Sequence, residues 1–531
     1  MTTAGLLRAP DRGAVLRQGL GLLAVLALWQ AAAMGLAGRF LLAGPVEVLR
    51  YLAENHGLIG RALSVTVQNA AWGFAAGNLA AILLAGIVAM VPGARMLVAA
   101  LALLVFCLPL VATGPILRVI YGPGPGPQIT LAALAVYYTT FIPLLVGLRA
   151  APASWFDLIR LYGRGGWTVF VQVRIMAALP YLLTGLQIAA PAALLGAMVG
   201  EFTGAERGMG VLALRAMRGL DVDATWAIAL VAAILSMIAY GLIGWLARAT
   251  SLPRPEVLLA APVAPGAGGR VSRALALMAL ALGTTLLVLA LWWLAMEAFS
   301  LNRFFAKRPD DIWRYLVTGP GAASHRAVLW QASAQTLGQV VPGYLAGLGL
   351  GAALALGLTL RPGLSGAVLP VAVALRSVPI VTTAPLIVLA LGRGSAGTIT
   401  IVAVMTFFPA LVACLQGLRQ APGQVLDVMR LYATSPLSRL WHAQIPAMLP
   451  AFFAAARLSV PAAILAVTVA EWLATGRGLG ALMALTASTS DYNLLWSAIV
   501  VVTLGSSVGY GLVGLVERAV LARIAPEQLR A

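Results

Sequence analysis

Two stretches of sequence, DLIRLYGRGGWTVFVQVRIMAALP at residues 157–180 and DVMRLYATSPLSRLWHAQIPAMLP at residues 427–450, interrupt an otherwise apolar chain. Each begins with an aspartate, continues with Arg-Leu-Tyr and a small residue, and ends in Leu-Pro before another apolar segment. A polar stretch between two apolar segments could be an ordinary loop. Because the same pattern starts at residue 157 and again at residue 427, we interpret it as a repeated structural element.

The composition indicates a polytopic helical membrane protein. Of the 531 residues, 61% are hydrophobic and only 10% are charged, and the mean hydropathy of +0.95 is too high for a soluble protein of this size. An apolar segment of about 20 residues spans the hydrocarbon core of a bilayer as a helix. We predict twelve such spans at residues 16–37, 64–91, 96–121, 128–149, 181–201, 224–247, 275–296, 334–360, 367–391, 397–418, 451–471 and 493–517.

The distribution of charge predicts orientation rather than nucleic-acid binding. The formal net charge is +18, but the basic residues are scattered along the chain and form no cluster, so no nucleic-acid partner is expected. In the first half more arginines fall on the side of the 157–180 stretch than on the other side, which places this stretch in the cytoplasm. The first apolar segment is longer than the core of a signal peptide, so we expect it to be retained as a helix.

The chain is duplicated at an offset of 270 residues. Matched pairs at this offset include Thr66 and Thr336, Gly77 and Gly347, and Glu201 and Glu471. Near the N-terminus the offset is 264, which matches Trp29 with Trp293. Six helices in each copy return the chain to its starting side, so the copies form a parallel 6+6 repeat. We expect a first copy at 1–250, a Pro- and Gly-rich cytoplasmic linker at 251–273 and a second copy at 274–531.

Each repeated stretch is predicted to contain a short helix outside the membrane. We expect the aspartate that opens it to lie near the helix N-terminus, where a carboxylate complements the backbone dipole. Leu158, Leu161 and Tyr162 recur at helical spacing and predict an apolar stripe along one face. Gly163 offers a point of close approach or a helix end, and Pro180 is expected to restart a helix. Such an element would fit a groove of another protein.

Both stretches resemble the cytoplasmic EAA coupling loop of binding-protein-dependent ABC importer permeases. The pattern of that family is roughly Glu-Ala-Ala, three residues, Gly and a final Pro-x-x-x-Pro. Asp157 and Asp427 stand at the Glu position, and Gly163 matches the Gly, where the second copy has Ala433. The second copy matches the ending with Pro446 and Pro450, whereas the first has Met176 and Pro180. LRSVPIVTTAPLIVLALGRG (375–394) and VAEWLATGRGLGALM (469–483) are similar to segments of nitrate, sulfonate and taurine-type permeases.

This resemblance implies an all-α, type I ABC importer permease fold with two permease copies fused in one chain. It also implies two ABC ATPase subunits that hold ATP and Mg, while this chain binds no cofactor, and a solute-binding protein that delivers a small polar or anionic solute. The location would be the bacterial inner membrane, a lipid bilayer, with both termini in the cytoplasm. The residues implied to couple to the ATPases are Asp157, Arg160, Leu161, Tyr162, Gly163, Pro180, Asp427, Arg430, Leu431, Tyr432, Ala433, Pro446 and Pro450.

The translocation path is predicted from residues within the spans. Pro109 and Pro379 either break their helices and expose backbone carbonyls, or set a kink. Arg376 meets a solute or is paired within the protein, because an unpaired charge inside a membrane is costly. We expect Arg457 to extend its charge to the membrane surface or to contact a loop. The matched Glu201 and Glu471 are interpreted as structural or gating groups.

Catalytic chemistry is not expected in this chain. Its single lysine, Lys307, follows an alanine, so the sequence holds no phosphate-binding P-loop. The three histidines are scattered, without the spacing of metal ligands. The alternative function is an ion-gradient-driven secondary transporter with the same 6+6 repeat. It requires acidic coupling residues in the middle of spans and gives no reason for two repeated polar stretches.

Overall fold

The computed structural model describes residues 23, 26–35, 42–250, 270–364, 368, 384, 387, 390–392 and 394–526. The regular structure of these residues is helical, without a strand. We number the helices α1–α18 in chain order. Those of the first half are α1 (26–35), α2 (Pro45–Glu54), α3 (His56–Met90), α4 (Arg95–Phe106), α5 (Leu110–Tyr121), α6 (Gly126–Gly147), α7 (Ala153–Leu161), α8 (Gly166–Phe202), α9 (Met209–Arg218) and α10 (Val222–Ala249).

The second half repeats this order. Its helices are α11 (Arg270–Ala298), α12 (Pro309–Trp313), α13 (Ala322–Leu360), α14 (Ser395–Arg419), α15 (Gly423–Leu431), α16 (Pro436–Leu473), α17 (Gly478–Ser488) and α18 (Tyr492–Ile524). Short 3₁₀ turns, Pro92–Ala94 and Pro362–Leu364, follow α3 and α13 at equivalent places. The path of the chain in the two halves is therefore the same wherever both are described.

Eight of the described helices are long and apolar enough to cross a membrane, namely α3, α6, α8, α10, α13, α14, α16 and α18. They coincide with eight of the twelve predicted spans, and the chain is a multi-pass α-helical membrane protein. The span predicted at 275–296 lies within α11. The spans predicted at 16–37 and 367–391 fall partly or mostly outside the described residues.

The span predicted at 96–121 is bent rather than straight. Helices α4 and α5 meet at an angle of 90°, and Pro109 between them is extended, with φ −72° and ψ 102°. The break expected at Pro109 is therefore present. Its carbonyl oxygen accepts the N–H groups of Ala112 at 3.0 Å and Thr113 at 3.1 Å, so this backbone group is satisfied within α5 rather than exposed for a solute.

The two halves share buried cores. In one of them Leu110 and Val111 of α5 pack with Val467 and Ala470 of α16. In another, Ile116 of α5 packs with residues of α17 and α18. Lipid tails are as apolar as these side chains, so close van der Waals packing rather than water exclusion stabilises such contacts. Helix α5, the second part of the broken span, thus joins the first half to the second.

Small residues allow helices within each half to approach closely. A Cβ atom added to Gly77 of α3 would lie 2.5 Å from the carbonyl oxygen of Ala133 in α6, and one added to Gly347 would collide with the carbonyl oxygen of Ala403. Both glycines and both carbonyls are related by the repeat. The matched glycines are therefore explained by backbone contact between neighbouring spans.

One sequence match is off by a residue. Trp29 donates its indole N–H to the carbonyl oxygen of Ala43 at 2.9 Å and lies 5.8 Å from Trp226. In the second half it is Trp292 that makes the corresponding contacts, with Lys307 O at 3.1 Å and with Trp496 at 5.2 Å. The residue of the second half that is structurally equivalent to Trp29 is therefore Trp292 and not Trp293.

Candidate functional site

The repeated polar stretches begin in two nine-residue helices, α7 and α15. Each starts directly after a proline, Pro152 or Pro422, whose extended backbone forms the N-cap. Each helix has two apolar side chains, about one turn apart, that are half-buried against the rest of the protein. They are Phe156 and Ile159 on α7, and Leu426 and Met429 on α15. The short helices are thus anchored by one face at the same end of the two bundles.

The opposite face of each short helix is apolar and exposed. Leu161 and Leu431 are both 85% exposed, and the tyrosines that follow them, Tyr162 and Tyr432, are 74% and 80% exposed. Leu158 and Val428 are each 51% exposed. Large apolar side chains grouped on a surface mark a contact with another molecule. The predicted apolar stripe is present on both helices, and the described part of the chain does not cover it.

The aspartates do not lie where we expected. Asp157 and Asp427 are each the fifth residue of their helix, not in its first turn, because the prolines start both helices earlier. Asp157 pairs with Arg160 at 3.5 Å, and Asp427 pairs with Arg430 at 2.9 Å. Both pairs are exposed to solvent, where an ion pair contributes little stability. They link neighbouring turns beside the exposed apolar face.

The residue after each tyrosine ends the helix. Gly163 has φ +64° and Ala433 has φ +50°, the left-handed conformation that closes many helices. The N–H of the next residue, Arg164 or Thr434, donates to a carbonyl five residues back, at 3.2 Å and 3.1 Å. No described atom lies within 4 Å of a Cβ built on Gly163. The predicted helix end is therefore present, and no part of the described chain approaches Gly163 closely.

The prolines at the end of the stretches do not restart helices. Pro180 and Pro450 lie inside α8 and α16, which begin at Gly166 and Pro436. Each helix contains a π-helical turn, Val169–Ile175 or Leu440–Gln444. The same helices also continue through Pro191 and Pro461, which have no π turn directly ahead of them, as membrane-spanning helices commonly do at proline.

Proline does not by itself cause the π turns. Pro446, which matches the family ending, is the second residue of the α-helical part that follows the turn in α16, but Met176 stands at the equivalent place in α8 and the turn is still present. The difference between the two family endings therefore leaves the local structure unchanged.

The matched glutamates lie at the other end of α8 and α16, far from the short helices. Glu201 is 1% exposed and Glu471 is fully buried. The hydroxyl of Thr66 donates to the Glu201 carboxylate at 2.8 Å, and the N–H of Gly210 donates to it at 2.7 Å. The Thr66 oxygen also accepts the N–H of Met209 at 2.8 Å. The carboxylate and the hydroxyl together cap the N-terminus of α9.

Glycine makes room for this cap. Gly208 precedes α9 with φ +135°, and a Cβ on it would collide with the Glu201 carboxyl group. Gly478 stands in the same relation to Glu471, with φ +89°. The spacing of Glu201, Gly208 and Gly210, which recurs in the second half, is therefore the sequence feature that could have predicted this helix cap. The matched threonine, which is the other residue of the cap, was not identified from the sequence. These contacts are structural; a role in gating stays a prediction.

Arg457 is not extended to the membrane surface as we expected. Its Nε lies 3.2 Å from an oxygen of Glu517 on α18, and both side chains are almost buried. Its guanidinium carbon also lies 5.8 Å from the ring centre of Tyr510. The charge is therefore neutralised inside the protein. Arg376 and Pro379 lie outside the described residues, so their predicted roles in the path are not tested.

Comparison with known proteins agrees with this arrangement. Residues 59–252 and 347–522, which together make up more than half of the chain, match a family described as "Binding-protein-dependent transport system inner membrane component". The two matches fall in the two halves.

Several curated proteins are similar to the chain. A probable ABC transporter permease protein of Haemophilus influenzae is 31% identical over 214 residues, which are 40% of this chain and 85% of the relative. The riboflavin transport system permease protein RibX of Chloroflexus aurantiacus is 30% identical over 245 residues, 45% of this chain and 88% of the relative. The taurine transport system permease protein TauC of Escherichia coli is 25% identical over 202 residues, 38% of this chain and 74% of the relative.

Proposed function

Because the chain belongs to the family of binding-protein-dependent transport system inner membrane components and is an ABC transporter permease, we propose that it forms the whole translocation path of an ATP-driven importer. The matched segments lie one in each half. One chain would therefore supply both permease copies, the first at 1–250 and the second at 274–531, joined by a linker at 251–273.

The observation that carries this proposal is the pair of exposed apolar faces on α7 and α15. Each face exposes a leucine and a tyrosine to solvent, and these two residues occupy equivalent positions at the C-terminal ends of the two helices. We infer that each short helix inserts into a groove of one ABC ATPase subunit. Closure of two such subunits on ATP would draw α7 and α15 together and rock the two bundles, because each short helix is anchored to its own bundle.

The remaining parts of the transporter are assigned by the same inference. ATP and Mg²⁺ are held by the two ATPase subunits, and this chain binds no cofactor. A solute-binding protein delivers a small polar or anionic solute to the end that carries the glutamate caps. The short helices and both termini face the cytoplasm, and the membrane is the bacterial inner membrane. Arg376 and Pro379 are the candidates for the solute path, together with the bend at Pro109, whose own carbonyl oxygen is paired within α5.

The test is transport by the purified complex. The chain, co-purified with its ATPase subunits, is reconstituted in vesicles with a solute-binding protein, and solute uptake is measured with ATP supplied on the side of α7 and α15. We expect ATP-dependent accumulation without an ion gradient. The double variant Leu431→Ala/Tyr432→Ala should abolish it, while the control Leu242→Ala, an exposed residue of α10, should not. Accumulation driven by a proton or sodium gradient, without any ATPase, would establish the secondary transporter instead.

A further inference from the structure

Three arginines of the first half lie together at the end of the bundle that carries α7. Arg95 is the first residue of α4, Arg149 closely follows the end of α6, and Arg174 lies in the π turn of α8. Arg149 is exposed, and the other two are half-buried. The three residues are far apart in the sequence and belong to α4, to the turn after α6 and to α8, so it is the fold that brings them to the same end of the bundle.

The three arginines surround one buried cluster. Val98, one turn after Arg95, and Leu148, next to Arg149, pack in the same cluster as Ala89, whose carbonyl oxygen is bound by Arg174. None of the three forms an ion pair with another residue in the described part of the chain. Arg174 donates to the carbonyl oxygen of Ala89 at 2.7 Å, which uses one of the five N–H groups of its guanidinium. Most of the donors of the cluster are therefore available to an anion.

The residues beside the arginines are apolar and exposed. They lie at the end of α3, at the start of α4 and at the junction of the π turn with the rest of α8: Met90, Val91, Met96, Ile175 and Met176. Cationic side chains next to exposed methionines and aliphatic residues at the end of membrane spans are typical of the interface between headgroups and acyl chains. A soluble anion would use the arginines but not these apolar neighbours.

The second half does not repeat the cluster. Of the three positions 270 residues further on, only that of Arg149 keeps its charge, as Arg419, whereas Arg95 corresponds to Ser365 and Arg174 to Gln444. Two of the three charges are therefore specific to the first half, and an anion that they bind would be bound by that half alone.

We propose that Arg95, Arg149 and Arg174 bind the phosphate headgroup of an anionic phospholipid in the leaflet on the side of α7. The acyl chains of this lipid lie against the exposed methionines of α3, α4 and α8. Arginine binds phosphate oxygens through paired N–H groups, which suits a headgroup held from three sides. The lipid then occupies the corner between α4 and α8, close to the start of the first short helix.

Native mass spectrometry of the purified full chain tests this site. The protein is mixed with a phosphatidylglycerol, with a phosphatidylcholine of the same acyl chains, or with inorganic phosphate, and the bound species are counted. Arg149→Gln/Arg174→Gln should weaken phosphatidylglycerol binding about twenty-five-fold, since each interfacial basic residue contributes a factor of roughly five. Arg419→Gln is the matched control in the second half and should leave most of the binding intact. Arg149→Gln alone, at an exposed position, should weaken it about fivefold without affecting folding.

Each other outcome contradicts the proposal. Equal retention of phosphatidylglycerol by the wild-type chain and the double variant would remove the site. Equal retention of phosphatidylcholine, or an equal loss in Arg419→Gln, would reduce the binding to general lipid adhesion. Full displacement by inorganic phosphate would make it a site for a free anion. Unchanged lipid binding together with a weakened association of the ATPase subunits would assign the arginines to a protein contact.

Discussion

The hydroxyl of Thr336 donates to the carboxylate of Glu471 at 2.8 Å, although 135 residues separate them in sequence. The same hydroxyl oxygen accepts the N–H of Leu479 at 2.9 Å, and the carboxylate accepts the N–H of Gly480 at 2.8 Å. Side chains of α13 and α16 thus satisfy the first turn of α17. Because α5 of the other half packs against α17, this cap holds one side of the contact between the halves.

Thr336→Val should destabilise the protein, because it leaves a buried carboxylate and a buried N–H each short of a partner. Such a loss costs about 1–3 kcal/mol per buried group. Thr336→Ser retains the hydroxyl and should cost much less. The thermal unfolding midpoint of the detergent-purified chain distinguishes the two. Equal midpoints for the valine and serine variants would mean that the hydroxyl does not support the cap.

Substitutions at the ends of the short helices should act in opposite directions. Ala433→Gly relieves a left-handed backbone at a residue with a Cβ and should stabilise α15, whereas Gly163→Ala should destabilise α7, each by about 1 kcal/mol. Protection of the amides of α7 and α15 in hydrogen exchange measures both effects. The same sign for both substitutions would refute the assignment of these residues as helix ends.

Gly77→Ala should weaken the packing of α3 on α6, because its Cβ would lie 2.5 Å from the carbonyl oxygen of Ala133. Displacing the backbone of a packed helix costs about 1–3 kcal/mol. Gly86→Ala in the same helix is the control, since no described atom lies within 4 Å of the added methyl and alanine favours the helix. Unfolding midpoints should fall for the first variant only. A fall of similar size in both would point to a general intolerance of α3.

The first half has uncharged residues in place of the ion pair between Arg457 and Glu517, and this difference suggests a test of what the pair contributes to stability. Glu517→Ala leaves Arg457 buried and unpaired, and breaking such a pair costs about 3 kcal/mol or more. The first half has Gln187 and Ala247 at these two places. Arg457→Gln/Glu517→Ala should therefore recover most of the lost stability in thermal unfolding of the purified chain. If the double variant were as unstable as Glu517→Ala alone, the pair would not explain the loss.

Hydropathy and the repeat predicted most of the fold, because apolar segments and residues matched at a constant offset can both be seen directly in the sequence. Eight spans lie where apolar runs of sufficient length occur, and the halves follow one another as the matched residues indicate. The bend between α4 and α5 was less visible, because the segment is as apolar as a straight span. Pro109 indicated a break there, but not its angle of 90°.

The local details depended on contacts that spacing does not reveal. Asp157 resembled a residue of a first helical turn, yet Pro152 starts the helix a turn earlier. Pro180 resembled a helix start, yet α8 begins at Gly166 and continues through this proline. For Glu201 the repeat predicted a shared role, and only the tertiary fold identified Thr66 and the N-terminus of α9 as its partners.

The exposed leucines give the most direct test of the central claim, that α7 and α15 each insert into a groove of one ATPase subunit. Both native cysteines, Cys107 and Cys414, are buried, so Leu161→Cys and Leu431→Cys introduce reactive thiols at exposed sites. We expect each single variant to crosslink to one ATPase subunit, and the double variant to yield a product of one chain with two subunits. Crosslinking at neither position, or labelling of both thiols by an impermeant reagent added outside intact cells, would contradict the account.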